Sequence, residues 1–165
     1  MMIERLVVGE LQENCYIGTI GDNSFIIDPG DDANRIIEAC KNKNIVEILI
    51  THFHFDHIGA LDEIKKYFGI DENKKSGCFD YDVILTPGHT IDSRCYYFKN
   101  EKIMFTGDFI FFHTIGRTDL PSGCDADMRN SLELISEYSN DIIIYPGHGP
   151  ETVLGVEKEM FKYYY

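Results

Sequence analysis

The spacing of apolar residues predicts strands in the first third of the chain. Short apolar or β-branched runs cover residues 6–8, 15–20 and 24–27, with glycine-containing turns between them. This pattern is typical of adjacent strands in a meander. A further apolar run over residues 45–50 is interrupted only by Glu47, which indicates a strand buried on both faces.

Helical periodicity follows the third and fourth of these strands. Ile36, Ile37 and Cys40 share one face of a predicted helix, and Asp31-Asp32 precedes them as the expected cap. Apolar residues three or four apart between positions 58 and 68 predict a second helix that ends near Gly69. The polar stretch at residues 70–77 is interpreted as a loop.

The second half repeats the alternation of strands and helices. The clearest hairpin signal in the chain joins residues 94–98 to residues 102–105. Residues 109–123 are predicted to form a long loop. The remaining predicted elements are strands at residues 81–85 and 142–145 and helices at residues 125–138 and 153–163.

A dense group of metal-ligand residues lies between the fourth strand and the second helix. The stretch Thr51-His52-Phe53-His54-Phe55-Asp56-His57 holds three histidines and a carboxylate within six residues. Residues two apart in an extended segment point to the same side, so His52 and His54 can bind the same metal ion. Asp56 and His57 form a second pair. Imidazole and carboxylate groups are ligands for zinc, iron and manganese, so this spacing favours a metal site over unrelated loop histidines.

Three later strands also end in ligand-type residues. His89 follows Thr86-Pro87-Gly88, Asp108 follows Thr106-Gly107, and His148 follows Pro146-Gly147. Each would be an ordinary turn residue if it stood alone. Together they supply further ligands at the same kind of position, and only His113 among the six histidines falls outside the pattern.

Composition and charge narrow the possible partners. A chain of 165 residues that is 44% hydrophobic fits a single α/β domain over residues 1–165. The formal charge of −13 disfavours binding to nucleic acid or to an anionic membrane. We expect a cytoplasmic protein, because no signal-peptide or transmembrane segment is visible and the five cysteines show no paired spacing.

The ordered motif His52-x-His54-x-Asp56-His57, His89, Asp108 and His148 resembles that of the metallo-β-lactamase-fold hydrolases. Other stretches resemble the single-domain, glyoxalase II-like (hydroxyacylglutathione hydrolase-like) branch: Asn14-Cys15-Tyr16, Ile27-Asp28-Pro29-Gly30, residues 116–123 and residues 146–152. The resemblance implies a four-layer αββα sandwich with the metal site at one edge of the two sheets.

The resemblance also implies the roles of the ligands. It assigns His52, His54 and His89 to one ion, Asp56, His57 and His148 to a second, and Asp108 to a bridge between them. Two divalent ions are expected, with zinc favoured and iron or manganese as alternatives. The implied reaction is hydrolysis of a small-molecule hydroxyacyl thioester by a metal-bound hydroxide, with Asp56 and Asp108 as catalytic carboxylates that orient it and accept its proton.

Two departures from the family leave the substrate open. The interval between His57 and His89 is short, which predicts an open pocket, and the chain ends soon after His148 without the helical domain that binds glutathione in two-domain glyoxalase II. One alternative is a mononuclear iron persulfide dioxygenase that uses His52, His89 and Asp108. Another is a non-catalytic metal or redox module. A β-lactamase is disfavoured, because Asp108 stands where common zinc β-lactamases have cysteine.

Several other residues have both a functional and a structural interpretation. Asp28 can orient a ligand histidine or simply make a turn before Pro29. Arg117 can meet a substrate carboxylate, although pairing with Asp119 is favoured. For Phe111, Phe112 and His113 we favour loop positions outside the pocket. Cys15 and Cys124 are interpreted as packing residues. Oligomeric state stays open.

Overall fold

The computed structural model describes residues 1–164, which form two compact units. The first unit spans Met1–Asp80 and the second begins at Tyr81. Tyr165, the last residue of the tyrosine-rich end, lies outside the described residues. The single domain predicted over residues 1–165 stays a prediction.

The first unit contains a mixed sheet whose strands follow in chain order. Antiparallel pairing joins β1 to β2 and β2 to β3, which confirms the predicted meander. The fourth strand pairs with β3 in parallel. The strands are β1 (Met2–Val8), β2 (Glu13–Ile20), β3 (Asn23–Ile27) and β4 (Asn44–Leu49).

The parallel pairing of β3 with β4 requires a crossover, which helix α1 (Ala33–Ala39) provides. Ile36 of this helix is fully buried in a core with Ile26 and Ile48. The predicted side-chain cap is wrong. Asp32 is the N-cap residue but has a left-handed backbone with φ 53° and makes no side-chain cap hydrogen bond. Its carboxylate instead accepts a hydrogen bond from the Gly9 backbone N–H at 3.2 Å.

The helix predicted over residues 58–68 is confirmed from Leu61 onward, but its expected start is wrong, because Ile58 belongs to a separate short helix. Helix α2 spans Phe55–Ile58 and helix α3 spans Leu61–Phe68. Between them, the Ala60 N–H donates to the Pro29 carbonyl at 3.0 Å. A Cβ on Gly59 would lie 2.3 Å from the Gly30 carbonyl oxygen, so this close approach of two backbones requires glycine. The predicted end at Gly69 is confirmed by its left-handed φ of 68°.

The polar residues 70–77 cover the outer side of β4. The Asn73 N–H donates to the Ile48 carbonyl, and the Asn73 side chain accepts from the Ile50 N–H. Glu47, fully buried, accepts two hydrogen bonds of 2.6 Å from Ser76. The polar segment therefore supplies hydrogen-bond donors to Glu47, the buried carboxylate that interrupts the apolar run.

The second unit contains a mixed sheet in the order β11-β10-β7-β6-β5. The predicted hairpin is confirmed, with β6 antiparallel to β7, and β10 pairs with β7 in parallel. The strands are β5 (Asp82–Leu85), β6 (Arg94–Phe98), β7 (Ile103–Gly107), β10 (Ile143–Pro146) and β11 (Thr152–Val153).

The loop predicted at residues 109–123 contains a short hairpin of β8 (Ile110–Phe111) and β9 (Thr114–Ile115). The helices of this unit are α4 (Asp125–Ser136) and α5 (Leu154–Phe161). Their buried residues, including Leu132 and Leu154, form a core with Ile144 of β10. Among residues 1–164, no helix has the length and apolar character needed to cross a membrane.

Candidate metal-binding site

The loop after β4 brings the two histidines of the first predicted pair together. His52 Nε2 lies 3.1 Å from His54 Nδ1, and the two rings meet edge to face. Two ligand atoms on one tetrahedral zinc, each about 2.0–2.1 Å from the metal, are separated by roughly 3.3 Å. The separation of these two nitrogens therefore fits a shared ion, as their spacing in the sequence predicted.

The second pair lies in the first turn of α2. His57 is fully buried, and its backbone N–H donates to the His54 carbonyl at 3.0 Å. Its Nε2 lies 3.9 Å from Oδ2 of Asp56, whose side chain is 14% exposed. This short helix turns the second pair of ligand atoms toward each other.

Asp28 fixes the ring of His57. Its Oδ2 lies 2.9 Å from His57 Nδ1 and accepts a 2.6 Å hydrogen bond from the Thr51 hydroxyl. Its Oδ1 accepts from the Thr51 N–H at 2.8 Å. With Nδ1 donating to this carboxylate, the Nε2 lone pair of His57 is available to a metal. Asp28 also makes the turn, at φ 47°, so both interpretations from the sequence apply.

Glu13 is a neighbour of this group that sequence reasoning missed. It lies on β2, is 1% exposed, and has Oε1 3.7 Å from His57 Nδ1. Glu13, Asp28 and His57 thus form a buried cluster of ligand-type groups. In the sequence, Glu13 is a carboxylate at the start of an apolar strand, and the apolar pattern by itself predicts that such a residue is exposed to solvent.

Gly30 keeps the backbone of the ligand loop close to these carboxylates. A Cβ at this position would lie 1.8 Å from the Asp56 carbonyl oxygen and 2.7 Å from Glu13 Oε2. The approach to the Asp56 backbone is sterically impossible, so residue 30 must be glycine for α2 to lie where it does.

In the second unit, a backbone carbonyl fixes His89. His89 Nδ1 lies 2.8 Å from the Arg117 carbonyl oxygen, so Nε2 is the nitrogen that would bind a metal ion. That nitrogen is 3.5 Å from Oδ2 of Asp108. Gly116 makes this possible, because a Cβ there would lie 1.8 Å from the Asp108 carbonyl oxygen.

The two carboxylate oxygens of Asp108 face different histidines. Oδ2 faces His89, whereas Oδ1 lies 3.7 Å from His148 Nε2. Asp108 therefore lies close to both candidate ligand histidines of this unit. The donor set of each unit, imidazole nitrogens beside carboxylate oxygens, suits a borderline divalent cation such as zinc.

The remaining candidate residues have structural partners. The Arg117 guanidinium makes two 2.6 Å hydrogen bonds to Asp119, as favoured from the sequence, and this pair lowers the pKa of Asp119 to about 2. The Phe111 ring lies 6.2 Å from that of His148, so it is close to a ligand, whereas Phe112 is exposed. His113 is 49% exposed, and its backbone N–H donates to buried Glu157 at 2.9 Å.

The cysteines agree with a packing role. Cys15 is fully buried, and burial raises its pKa well above the ordinary value. Burial likewise raises the pKa of Cys40 to about 11 and that of Cys95 to about 12. Cys124 is half-buried.

Comparison with known proteins gives a consistent family. The model of the metallo-beta-lactamase superfamily matches residues 8–74 and 69–148. The chain is 30% identical to the probable metallo-hydrolase YqgX of Bacillus subtilis, over 96% of this chain and 95% of that protein. It is also 30% identical to the hydroxyacylglutathione hydrolase GloC of Haemophilus influenzae, with the same coverage.

A solved structure agrees over nearly the whole length. The crystal structure of BLEG-1 B3 metallo-beta-lactamase superposes with a TM-score of 0.89 at 30% identity and covers 96% of each chain. The predicted fold class is confirmed as the metallo-β-lactamase fold, an α/β fold with two mixed sheets and helices. The chain belongs to the metallo-beta-lactamase superfamily and is a metallo-hydrolase of that family.

Proposed function

We propose that the chain is a thioesterase that hydrolyses hydroxyacyl thioesters with two divalent ions. The observation that carries the proposal is Asp108, whose two oxygens each face a different histidine, an arrangement compatible with a carboxylate that bridges two ions. The relationship to a hydroxyacylglutathione hydrolase supports the thioester as the bond that is cleaved.

In this proposal the metal ligands are those that the family motif implies. His52, His54 and His89 hold the first ion, and Asp56, His57 and His148 hold the second. Zinc is favoured, because imidazole nitrogens dominate the set. Bound ions of this kind supply a water of lowered pKa and polarise a carbonyl oxygen.

The protein's own groups orient the reactants and move the proton. Asp56 and Asp108 orient the attacking water and accept its proton. The water oxygen bonds to the carbonyl carbon, the C–S bond breaks, and the sulfur leaves with the electron pair. A thiolate with an ordinary pKa near 8.5 is a good leaving group at neutral pH, so no general acid is required.

The test is thiol release from S-D-lactoylglutathione by zinc-loaded protein, compared with the Asp56→Ala variant. We expect turnover that the variant loses, together with a fall in bound zinc from two ions to one per chain. Asp22→Ala, at an exposed turn of the same unit, is the matched control and should retain both properties. Full activity of Asp56→Ala would contradict the proposed role of the second ion.

The relationship to BLEG-1 makes hydrolysis of a β-lactam ring the second candidate. The same groups would direct water to an amide instead of a thioester. Nitrocefin cleavage without thioester cleavage would replace the proposal with this one. Oxygen consumption by iron-loaded protein with a persulfide would favour the dioxygenase, and a metal-loaded protein inactive in all three assays would favour the non-catalytic module.

A further inference from the structure

A cleft of about 440 Å³ opens in the first unit beside Asp56. Residues of the β1–β2 turn, the segment after β3, and α2 line it. It therefore begins at a proposed metal ligand and extends away from it across the surface of this unit. A ligand that reacts next to Asp56 would place one of its ends in this cleft.

The apolar part of the cleft is unusually exposed for such large side chains. Leu11 is 55% exposed and Phe55 is 74% exposed, and both line the cleft. An apolar group placed between them would remove this surface from water. The face of the Phe55 ring would also attract a cation.

The charged part of the cleft is acidic. Its charged lining residues, within the part of the chain that the structure describes, are Glu10, Asp31 and Asp56. The nearby Arg35 is used elsewhere, since it donates to the Val7 carbonyl at 2.6 Å and lies 4.0 Å from the Asp32 carboxylate. Asp56 is assigned to a metal ion in the proposed function, so an anionic group placed away from that ion would face the carboxylates of Glu10 and Asp31.

The turn that carries Glu10 and Leu11 is held in place. The Gly9 N–H donates to the Asp32 carboxylate at 3.2 Å, and the Gln12 N–H donates to the Gly9 carbonyl at 3.2 Å. Gly9 has φ 65°, and a Cβ there would lie 3.0 Å from Asp31. The backbone that carries Glu10 and Leu11 is thus held before a ligand arrives, which reduces the entropy lost on binding.

We propose that this cleft binds the thiol half of the substrate and selects an apolar thiol with a cationic or neutral group over anionic glutathione. This inference rests on the proposed thioesterase function. The thiol half is the occupant, because a short hydroxyacyl group would fill only a small part of the volume. Charge then decides between thiols, since glutathione carries two carboxylates.

The test compares three thioesters that share an acetyl group: acetylthiocholine, S-acetyl-N-acetylcysteamine and S-acetylglutathione. With zinc-loaded protein at low salt, we expect kcat/KM for the cationic ester to exceed that for the glutathione ester at least tenfold, with the neutral ester between them. The difference should lie mainly in KM and shrink as salt screens the charges. Equal or better use of S-acetylglutathione overturns the inference and leaves the thioesterase function intact.

Variants test whether Glu10 and Asp31 cause the preference for the cationic over the anionic ester. The double change Glu10→Gln and Asp31→Asn should reduce the ratio between cationic and anionic esters to within threefold. Glu38→Gln, an exposed carboxylate on α1 that faces Lys41, is the control and should leave the ratio unchanged. A ratio that survives the double change would show that other groups set the preference.

Binding without turnover separates the two proposals. Choline and S-methylglutathione contain neither a thioester nor a free thiol, and calorimetric titration measures their affinities directly. We expect choline to bind more tightly, and this difference to vanish in the double variant, even if no thioester is cleaved. If the parent protein cleaved none of the three thioesters, the thioesterase proposal would be wrong. If S-methylglutathione bound more tightly than choline, the cleft proposal would be wrong.

Discussion

Asp28 and His57 are joined by a 2.9 Å contact between Oδ2 and Nδ1, although 29 positions separate them in the sequence. The same carboxylate accepts the N–H and the hydroxyl of Thr51, the first residue of the ligand loop. One buried side chain on the segment after β3 therefore orients both a ligand and the loop that carries it.

Asp28→Asn should lower zinc affinity about 10–100-fold, the usual effect of losing such a supporting contact. An amide offers one acceptor atom, whereas three donors converge on the two oxygens of Asp28. Competition with a chromogenic chelator measures the affinity. Asp22→Asn should have no effect, and an unchanged affinity in Asp28→Asn would show that this hydrogen bond does not support the ligand.

Gly30→Ala should both destabilise the protein, by roughly 1–3 kcal/mol as overpacking does, and weaken zinc binding. The added methyl group would overlap the Asp56 carbonyl and push α2 away. Urea unfolding and zinc competition measure the two effects. Gly21 has a positive φ, which alanine strains, but open space around it, so Gly21→Ala should change stability alone.

Arg117→Ala and Gly116→Ala should differ sharply in zinc binding. The contact to His89 comes from the Arg117 carbonyl, which alanine retains, whereas a methyl group at residue 116 would collide with Asp108. We expect zinc affinity within threefold of the parent for the first variant and at least a tenfold loss for the second. A tenfold rise in KM for S-D-lactoylglutathione in Arg117→Ala would instead assign the guanidinium to a substrate carboxylate.

Alkylation should distinguish the cysteines by their burial. At pH 8, iodoacetamide should modify exposed Cys78 and spare Cys15, Cys40 and Cys95, because the thiolate is the reactive form and their raised pKa values keep them protonated. Mass spectrometry after a timed reaction gives the pattern, and denatured protein should react at all five.

The same shifts predict a loss of stability in alkali. A raised folded-state pKa contributes stability that is complete below the unfolded value near 9 and is lost as pH rises through about 11 for Cys40 and about 12 for Cys95. Urea midpoints measured from pH 8 to pH 11 should therefore fall, and the decline should be smaller in Cys40→Ala relative to its own value at pH 8.

Glu157→Leu should destabilise the protein by about 1–3 kcal/mol, since it leaves the buried Thr152 hydroxyl and the His113 N–H without their acceptor. Glu159→Leu, at an exposed position of the same helix, should change stability by less than about 0.5 kcal/mol. Urea unfolding compares the two. Equal losses of stability in the two variants would show that the buried hydrogen bonds of Glu157 do not cause the destabilisation.

The positions of the candidate ligand residues were predictable, because each lies shortly after a strand that its own apolar run indicates. The apolar run of β4 precedes His52, and β5, β7 and β10 precede His89, Asp108 and His148. Local periodicity is enough to find such positions, because the strand ends and the ligand types are both short-range features.

Features that depend on distant contacts were not predictable in the same way. Glu13 is buried because the segment after β3 and helix α2 bring Asp28 and His57 beside it. The Asp32 carboxylate accepts a hydrogen bond from the distant Gly9 N–H and does not cap its own helix. The two-residue strands β8, β9 and β11 are too short for a periodic pattern. Gly59 looks like a tolerated helix residue until the approach of Gly30 is known.

The strand order of the two sheets sets the sequence of events during synthesis. In the first sheet, Asn23 pairs with Asn44, so every strand has been made before the ligand loop is translated. In the second sheet, Ile103 of β7 pairs with Ile143 of β10, which is translated 40 residues later. At about 5–20 residues per second, His52, His57 and the carboxylates that orient them exist for several seconds before His148 is made. The candidate ligands of the first unit are therefore translated, together with the whole of their own sheet, well before those of the second unit.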